Sequence, residues 1–354
     1  MKRKKVAVVG SGISGISASL FLSKKYDVHL FEKNNYLGGH TRTKTLEENN
    51  TLYDIDTGFI VFNDNNYPDL VKLLEYLNID THNSNMSFSI SIKDPEFEYG
   101  SSNLNSLFAQ KKNLFSLRFW LLLKDIIKLY NHCKKISFLK NAEKYSLEDF
   151  LIKFNYSKNV KDLHVYPMIS SIWSCDKNIM KKFPLISFIN FFNNHRLFNF
   201  INRPQWKFVK GGSHKYIQAI ISKNLFNYKI NKCVKNILRD KDKITIIFTD
   251  NDRFIADKII LATHADQALN ILNAPSQDEF QILSKFQYSK NYAYLHSDNK
   301  FMPQRKATWS SWNFQGKNNN DQSFSLTYWM NLLQNLPCKK NFFLSINPLD
   351  VPNY

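Results

Sequence analysis

Apolar and polar positions follow two rhythms along this chain. Residues 5–9, KVAVV, are almost wholly apolar, the pattern of a short strand buried on both faces. Gly10-Ser11-Gly12 then turns the chain. Ile13 to Lys24 follow as a helix, with Ile16, Leu20 and Leu22 available for packing. YDVHLFEK (26–33) predicts a second strand ending at Glu32, and YPDLVKLLEYLNI (67–79) an amphipathic helix. SFSISI and FEYG suggest a hairpin. In FSLRFWLLLKDIIKLY (115–130), Phe119, Leu122, Leu123, Ile126, Ile127 and Tyr130 recur at helical spacing, with Lys124 and Lys128 on another face. Such a helix either packs within a domain or lies on an anionic membrane.

Ser146 is placed to cap a further helix, and Gly211-Gly212 precede one from Ser213. Residues 229–263 read as a strand meander with turns at DKDK and TDND. NYAYLH, ATWSSWNF, SFSLTYWMN and FFLSIN supply more strands. This alternation predicts an α/β protein, a Rossmann-like nucleotide-binding domain interleaved with an α+β substrate domain. The expected division is residues 1–82 and 206–285 for the nucleotide and 83–205, largely helical, and 286–354, mainly strands, for the substrate.

The turn after the first strand carries the first candidate chemistry. Glycines 10, 12 and 15 fit a phosphate-cradling pattern: Gly10 permits the turn, Gly12 lets backbone approach a pyrophosphate, and Gly15 seats the helix on the strand. The helix N-terminus offers free N–H groups to the phosphates. Glu32 lies about twenty residues on, where a carboxylate binds a ribose hydroxyl and repels a 2′-phosphate. A second glycine pair follows at once in NNYLGGHTRT (34–43), where Gly38 and Gly39 bring more backbone to the nucleotide and Thr41 and Arg42 offer donors. NAD dehydrogenases do not need that element, whereas an extended FAD does.

These residues carry a resemblance. The chain resembles the amine-oxidase-like FAD flavoproteins (monoamine-oxidase or GR2 type). More closely, it is similar to bacterial NAD/FAD-binding proteins that accompany cyclopropane-fatty-acyl-phospholipid synthases. The matches run in order through GSGISG (10–15), LGGHTRT (37–43), DTGFIVFN (56–63), SFSIS (87–91), IWS (172–174), FFNNHRL (191–197), RPQW (203–206), GGSHKYI (211–217), ILATHADQAL (260–269), WSSWNF (309–314), TYWMN (327–331) and INP (346–348). The resemblance implies FAD as cofactor. It implies that Gly58, Phe59 and Ile60 neighbour the flavin, with Gly58 allowing close approach, that the Val234 backbone lies near the adenine, and that Ala262 and Thr263 lie beside the cofactor. With the turn residues, the candidate cofactor set is Gly10, Ser11, Gly12, Ser14, Gly15, Glu32, Lys33, Gly39, His40, Thr41, Arg42, Gly58, Phe59, Ile60, Val234, Ala262 and Thr263. The resemblance also implies a glycine-rich segment and helix after the INP region, which this sequence does not contain; FAD retention without it is an open expectation.

Composition narrows the picture modestly. With 354 residues, 43% hydrophobic and 15% aromatic, the chain can bury a large core. The longest apolar stretches are too short to span a bilayer, and Gly10 and Gly12 break the signal-like start MKRKKVAVVGSG. Four scattered cysteines, Cys133, Cys175, Cys233 and Cys338, suggest neither zinc nor a disulfide framework. A reducing cytoplasm is expected, with peripheral contact at the inner membrane face as an extension. The formal charge of +18 has two readings: an anion-attracting surface, or a Lys- and Asn-rich composition without dense basic blocks beyond KRKK at 2–5. Nucleic acid is not an expected partner.

A flavin would carry the redox chemistry, with protein positioning a substrate C–H or N–H. No catalytic acid or base stands out, and no metal pattern is visible. His40 and His264 flank cofactor motifs. Trp309, Trp312, Tyr328 and Trp329 are candidates for an apolar cavity over the flavin. The reading is an FAD-dependent oxidoreductase of a small apolar molecule, a fatty acyl chain or a lipid. The alternatives are a catalytically incomplete dinucleotide-binding protein and a membrane-surface accessory of a lipid-modifying enzyme.

Overall fold

The computed structural model describes residues 3–135, 141–173, 177–318 and 324–353. Lys2, Ser174 of the IWS motif and Cys175 lie outside the described residues. The centre of the nucleotide side is a four-stranded parallel sheet. Its order across the sheet is Asn227–Lys229, Asp27–Phe31, Lys5–Val9 and Lys258–Leu261. Val6, Val8, Val28 and Leu30 bury one face against the helices Ile13–Leu22 and His214–Ser222, through Ile16, Leu20, Tyr216 and Ile220. Ala7, Val9 and Phe31 bury the other face against an antiparallel meander, Val234–Arg239, Ile244–Phe248 and Arg253–Ala256. The expected meander therefore loses its last strand. Lys258–Leu261 crosses to pair in parallel with Val6–Val9, its apolar IIL run partly buried against both layers, Ile260 on one side and Ile259 and Leu261 on the other.

The second large sheet has six strands, ordered Ala293–His296, Phe343–Ile346, Phe324–Trp329, Trp312–Asn318, Phe88–Asp94 and Phe97–Gly100. It is antiparallel except where Trp312–Asn318 runs parallel to Phe88–Asp94. Helices Leu117–Lys134, Leu147–Lys153, Tyr166–Trp173 and Leu185–Asn194 pack beside it around Phe119, Phe150, Ile169 and Phe188. The hairpin 88–100 and the cap are as expected: the Ser146 hydroxyl accepts from Asp149 N, and the Asp149 carboxylate accepts from Ser146 N in return.

Two expectations change. Ile127 is exposed, and Leu129 takes the buried place on its helix, because the core-facing stripe runs Phe119, Leu122, Ile126, Leu129, Tyr130 and Cys133. ATWSSWNF does not begin as a strand. Ser310 and Ser311 bond to nearby backbone and to Asn85, so the ladder starts only at Trp312.

One buried carboxylate joins a hairpin to the start of the helix His214–Ser222 and to the end of the helix Met330–Leu333. Asp56 closes the hairpin of Thr43–Glu48 and Thr51–Asp56. Its oxygens accept from Thr43 Oγ1 (2.6 Å), Ser213 N (2.9 Å), Ser213 Oγ (2.7 Å) and Gln334 Nε2 (3.2 Å). Burial outweighs these donors and pushes its pKa from an ordinary 3.8 up to about 6. A raised carboxyl favours the folded state below pH 4 and loses that contribution as pH rises through about 6. Relative to Asp56→Asn, the wild type should therefore lose up to about 3 kcal/mol between pH 4 and pH 7. Urea unfolding of both proteins at those two pH values checks it; a constant difference would show that the donors, not burial, dominate.

Candidate functional site

The strand Lys5–Val9 delivers its C-terminal end to a turn whose first residue cannot carry a side chain. Gly10 has φ +97°, and a Cβ there would stand 2.5 Å from the Ala262 carbonyl oxygen. A Cβ on Gly15 would stand 1.9 Å from the Gly10 carbonyl oxygen. Gly12 differs: its Cβ would meet no protein atom within 4 Å. Gly12 also caps the helix, and no side chain satisfies the first N–H groups. Open space before an uncapped helix N-terminus fits an anion such as a pyrophosphate.

Glu32 is buried beside this turn. Its carboxylate accepts from Ser11 N (2.9 Å), Ser11 Oγ (2.6 Å) and Asn34 N (2.9 Å). A carboxylate offers about four acceptor positions, so room remains for one hydroxyl. Ser11 also receives Gly38 N on its carbonyl at 3.0 Å, which brings the second glycine pair against the first turn. A Cβ on Gly39 would lie 3.1 Å from Gly12 Cα. Ser14, Lys33 and His40 are exposed around this cleft. Val234 turns its side chain into the core, and Ala262 and Thr263 follow the strand Lys258–Leu261, with Ala262 N bonded to Val9 O at 2.8 Å.

Three of the candidates make contacts within the protein. The Thr41 hydroxyl is buried and bonded to the Tyr216 hydroxyl, so it is held by the helix behind it. The Arg42 guanidinium lies over the Tyr36 ring at 3.6 Å, a cation–π contact that leaves its N–H groups free to donate. The missing Cβ of Gly58 admits the His40 carbonyl oxygen, 2.0 Å from where a Cβ would sit, so the close approach it permits is to backbone. His264 stacks between His40 (6.1 Å) and Tyr288 (4.2 Å).

Beyond Gly58, Phe59 and Ile60 opens a cavity of about 860 Å³ between the six-stranded sheet and the helices. Trp312 and Tyr328 line it, as expected. Trp309 and Trp329 do not: they pack edge to face at 5.4 Å, with their indole N–H groups bonded to Pro303 O and Asn341 Oδ1. The far wall carries a polar cluster. Lys161–Val165 forms a π-helical turn, and His164 on it is buried between two tyrosines. Tyr99 donates to Leu163 O (3.1 Å), so it accepts from His164 Nδ1 (2.9 Å), and His164 Nε2 accepts from Tyr130 (2.9 Å). Burial, helped by the Arg203 charge, drops the His164 pKa to about 4, which keeps the ring neutral.

Comparison with known proteins now bears on this geometry. The model of the flavin containing amine oxidoreductases matches residues 13–331. The chain belongs to that family. It is an FAD-dependent oxidoreductase. Among solved structures, a putrescine oxidase mutant with redesigned cofactor binding superposes with a TM-score of 0.69 at 14% identity, covering 98% of this chain and 75% of that one. A CLA-producing fatty acid isomerase from P. acnes gives 0.65 at 12% identity, covering 99% and 78%. An oxidoreductase from Methanosarcina mazei gives 0.65 at 17%, covering 98% and 79%. No curated protein sequence matches the chain.

In this flavoprotein the strand ends gather Gly10, Ser11, Gly12, Gly15, Glu32, Gly39, Ala262 and Thr263 into one cleft. Tyr99 and His164 were not singled out by sequence reasoning, and Tyr130 was named only as a packing position on its helix. Arg203 sat inside a quoted motif, RPQW, without a role; the other three come together only when the helices pack. The glycines separate two effects. Gly12→Val should keep a native circular dichroism spectrum and lower FAD affinity at least about a hundredfold, because its side chain projects only into the open cleft. Gly15→Ala should unfold at lower urea, because no neighbour of its Cβ can move aside. Unchanged FAD titration of Gly12→Val would refute the pyrophosphate position.

Proposed function

We propose that this flavoprotein oxidises an anionic, chain-like apolar substrate, an acyl carboxylate or a lipid, held in the 860 Å³ cavity beside FAD. The charge of the lining carries this reading. Among the described residues it includes no Asp or Glu, and its permanently charged side chain is Arg203. A protonated amine entering such a cavity would be desolvated without a counter-charge, at a cost of several kcal/mol. A carboxylate finds Arg203, an exposed side chain of the lining whose Nε donates to Asn199 O (2.6 Å). Phe59, Met168, Ile172, Phe191 and Leu197 supply apolar wall for a hydrocarbon chain and keep water out. A fatty acid isomerase among the structures of similar fold agrees with an acyl substrate, as does the association with cyclopropane-fatty-acyl-phospholipid synthases that the sequence resemblance suggests.

In this reading Gly10, Ser11, Gly12, Ser14 and Gly15 cradle the pyrophosphate at the helix N-terminus. Glu32 accepts a ribose hydroxyl, with Lys33 beside it. The Val234 backbone faces the adenine. Gly39, His40, Ala262 and Thr263 flank the extended cofactor, and Gly58, Phe59 and Ile60 border its ring. A bound FAD would supply the acceptor for a hydride from a substrate C–H held in the cavity, with oxygen or another acceptor needed to take the electrons onward. Trp312 Nε1 and His195 Nδ1 line the cavity as buried polar atoms without a protein partner, so each has a hydrogen-bonding position left for a bound molecule.

Anaerobic mixing of the FAD-loaded protein with oleate, methyl oleate and octylamine, followed by flavin absorbance, tests this. Oleate should bleach the flavin and octylamine should not. Arg203→Gln should raise the KM for oleate about tenfold or more while changing kcat less. Bleaching by the amine alone would overturn the substrate class. A yellow protein bleached by none of the three would favour the non-catalytic dinucleotide-binding reading.

A further inference from the structure

The helix that walls the cavity with Tyr130 carries a second apolar surface. Its buried stripe runs through Phe119, Leu122, Ile126, Leu129 and Tyr130. Leu117, Trp120, Leu121, Lys124, Ile127 and Lys128 recur at helical spacing on the other side, and all are exposed. Over its first two turns the helix is therefore apolar nearly all round, while the rest of the chain covers only one side. Leu117 is 74% exposed, Trp120 49%, and Phe115, just before the helix, 91%. Leu104, at 75%, and Leu114 are exposed in the preceding residues. Single exposed apolar residues need no explanation; this many within eighteen residues form a patch of the kind that marks an interaction site.

The charges around the patch identify its partner. Residues 104–124 contain no Asp or Glu, and Lys111, Lys112, Arg118 and Lys124 among them are exposed. Lysine is depleted at protein–protein interfaces, whereas tryptophan and lysine side by side suit the boundary between headgroups and acyl chains. The Trp120 indole N–H already donates to Leu114 O (2.9 Å), so the ring can leave water without an orphaned donor. No helix among the described residues is long and apolar enough to cross a membrane, so the contact would be with one surface.

We infer that this patch seats the protein on an anionic phospholipid bilayer. Phe115, Leu117, Trp120 and Leu121 enter the headgroup–acyl boundary, and Lys111, Lys112 and Lys124 meet lipid phosphates. The seat does not depend on which substrate the cavity takes.

Sedimentation of the FAD-loaded protein with vesicles tests it, using phosphatidylglycerol mixed with phosphatidylcholine, and phosphatidylcholine alone. The protein should pellet with the anionic vesicles at low salt and be released at high salt. Phe115→Ser with Leu117→Ser should abolish pelleting, and Lys111→Gln with Lys112→Gln should weaken it roughly tenfold or more. All four positions are exposed, so circular dichroism and FAD content should not change. Equal pelleting of wild type and the Phe115→Ser, Leu117→Ser variant would overturn the assignment. So would an absence of vesicle binding together with a patch variant that dissociates a dimer, which would make the surface a self-association face.

Discussion

A Cβ on Gly15 would stand 1.9 Å from the carbonyl oxygen of Gly10, and a Cβ on Gly10 would stand 2.5 Å from that of Ala262. Three backbone segments meet in a space that one methyl group would fill. The first strand, the first helix and the end of the Lys258–Leu261 strand are thereby locked at fixed distances. Everything on the nucleotide side inherits that geometry. The uncapped helix N-terminus opens outward at Gly12 because its neighbours on both sides are closed. Glu32 reaches Ser11 because the second strand pairs in register with the first, Phe31 beside Val9.

Buried carboxylates hold the rest together, and each is used on the protein's own donors. Glu32 takes Ser11 and Asn34, Asp56 takes Thr43, Ser213 and Gln334, and Glu98 takes Ser91 and the backbone of Gln304 and Arg305. Asp56 links residues far apart in sequence, so the hairpin beside the glycine cleft and the helix Met330–Leu333 next to the six-stranded sheet are fixed by one group. Acidic side chains used for assembly are unavailable to the cavity. Its described lining is left with neutral polar groups and Arg203.

The parts of this fold legible in the sequence are those set by local chemistry. The glycine turn, the strand ending at Glu32, the Ser146 cap and the 88–100 hairpin each depend on residues close in the chain. What could not be read depends on distant partners. Thr41 looked like a free donor because nothing local marks Tyr216, 175 residues away, as a partner. Trp309 and Trp312 are three residues apart in one motif, yet one packs against Trp329 and the other lines the cavity. Bonds of Ser310 to Thr308 and of Ser311 to Asn85 decide that the strand begins only at Trp312. The His164 cluster was invisible for the same reason: its tyrosines come from a strand and a helix, 65 and 34 residues distant.

The helix Leu117–Lys134 shows how periodicity can be right and still incomplete. Its 3.6-residue pattern predicted a helix with an inward face, and the structure has one. The same pattern also satisfied a membrane-surface helix, and the two readings looked like alternatives because each needs one apolar side. They are not exclusive here. LRFWLLL is dense enough in apolar residues to serve both sides, Phe119 and Leu122 inward and Leu117, Trp120 and Leu121 outward. The net charge of +18 does not by itself distinguish a functional surface from a compositional bias. Its distribution is more informative: a sequence segment with basic residues and no acids carries the exposed apolar residues, and one arginine lines a cavity whose described walls hold no carboxylate. Both features attract anions. A single helix carries one of them on its outer face and reaches the cavity through Tyr130 on its inner face, so a lipid surface and an acyl substrate would meet the same structural element.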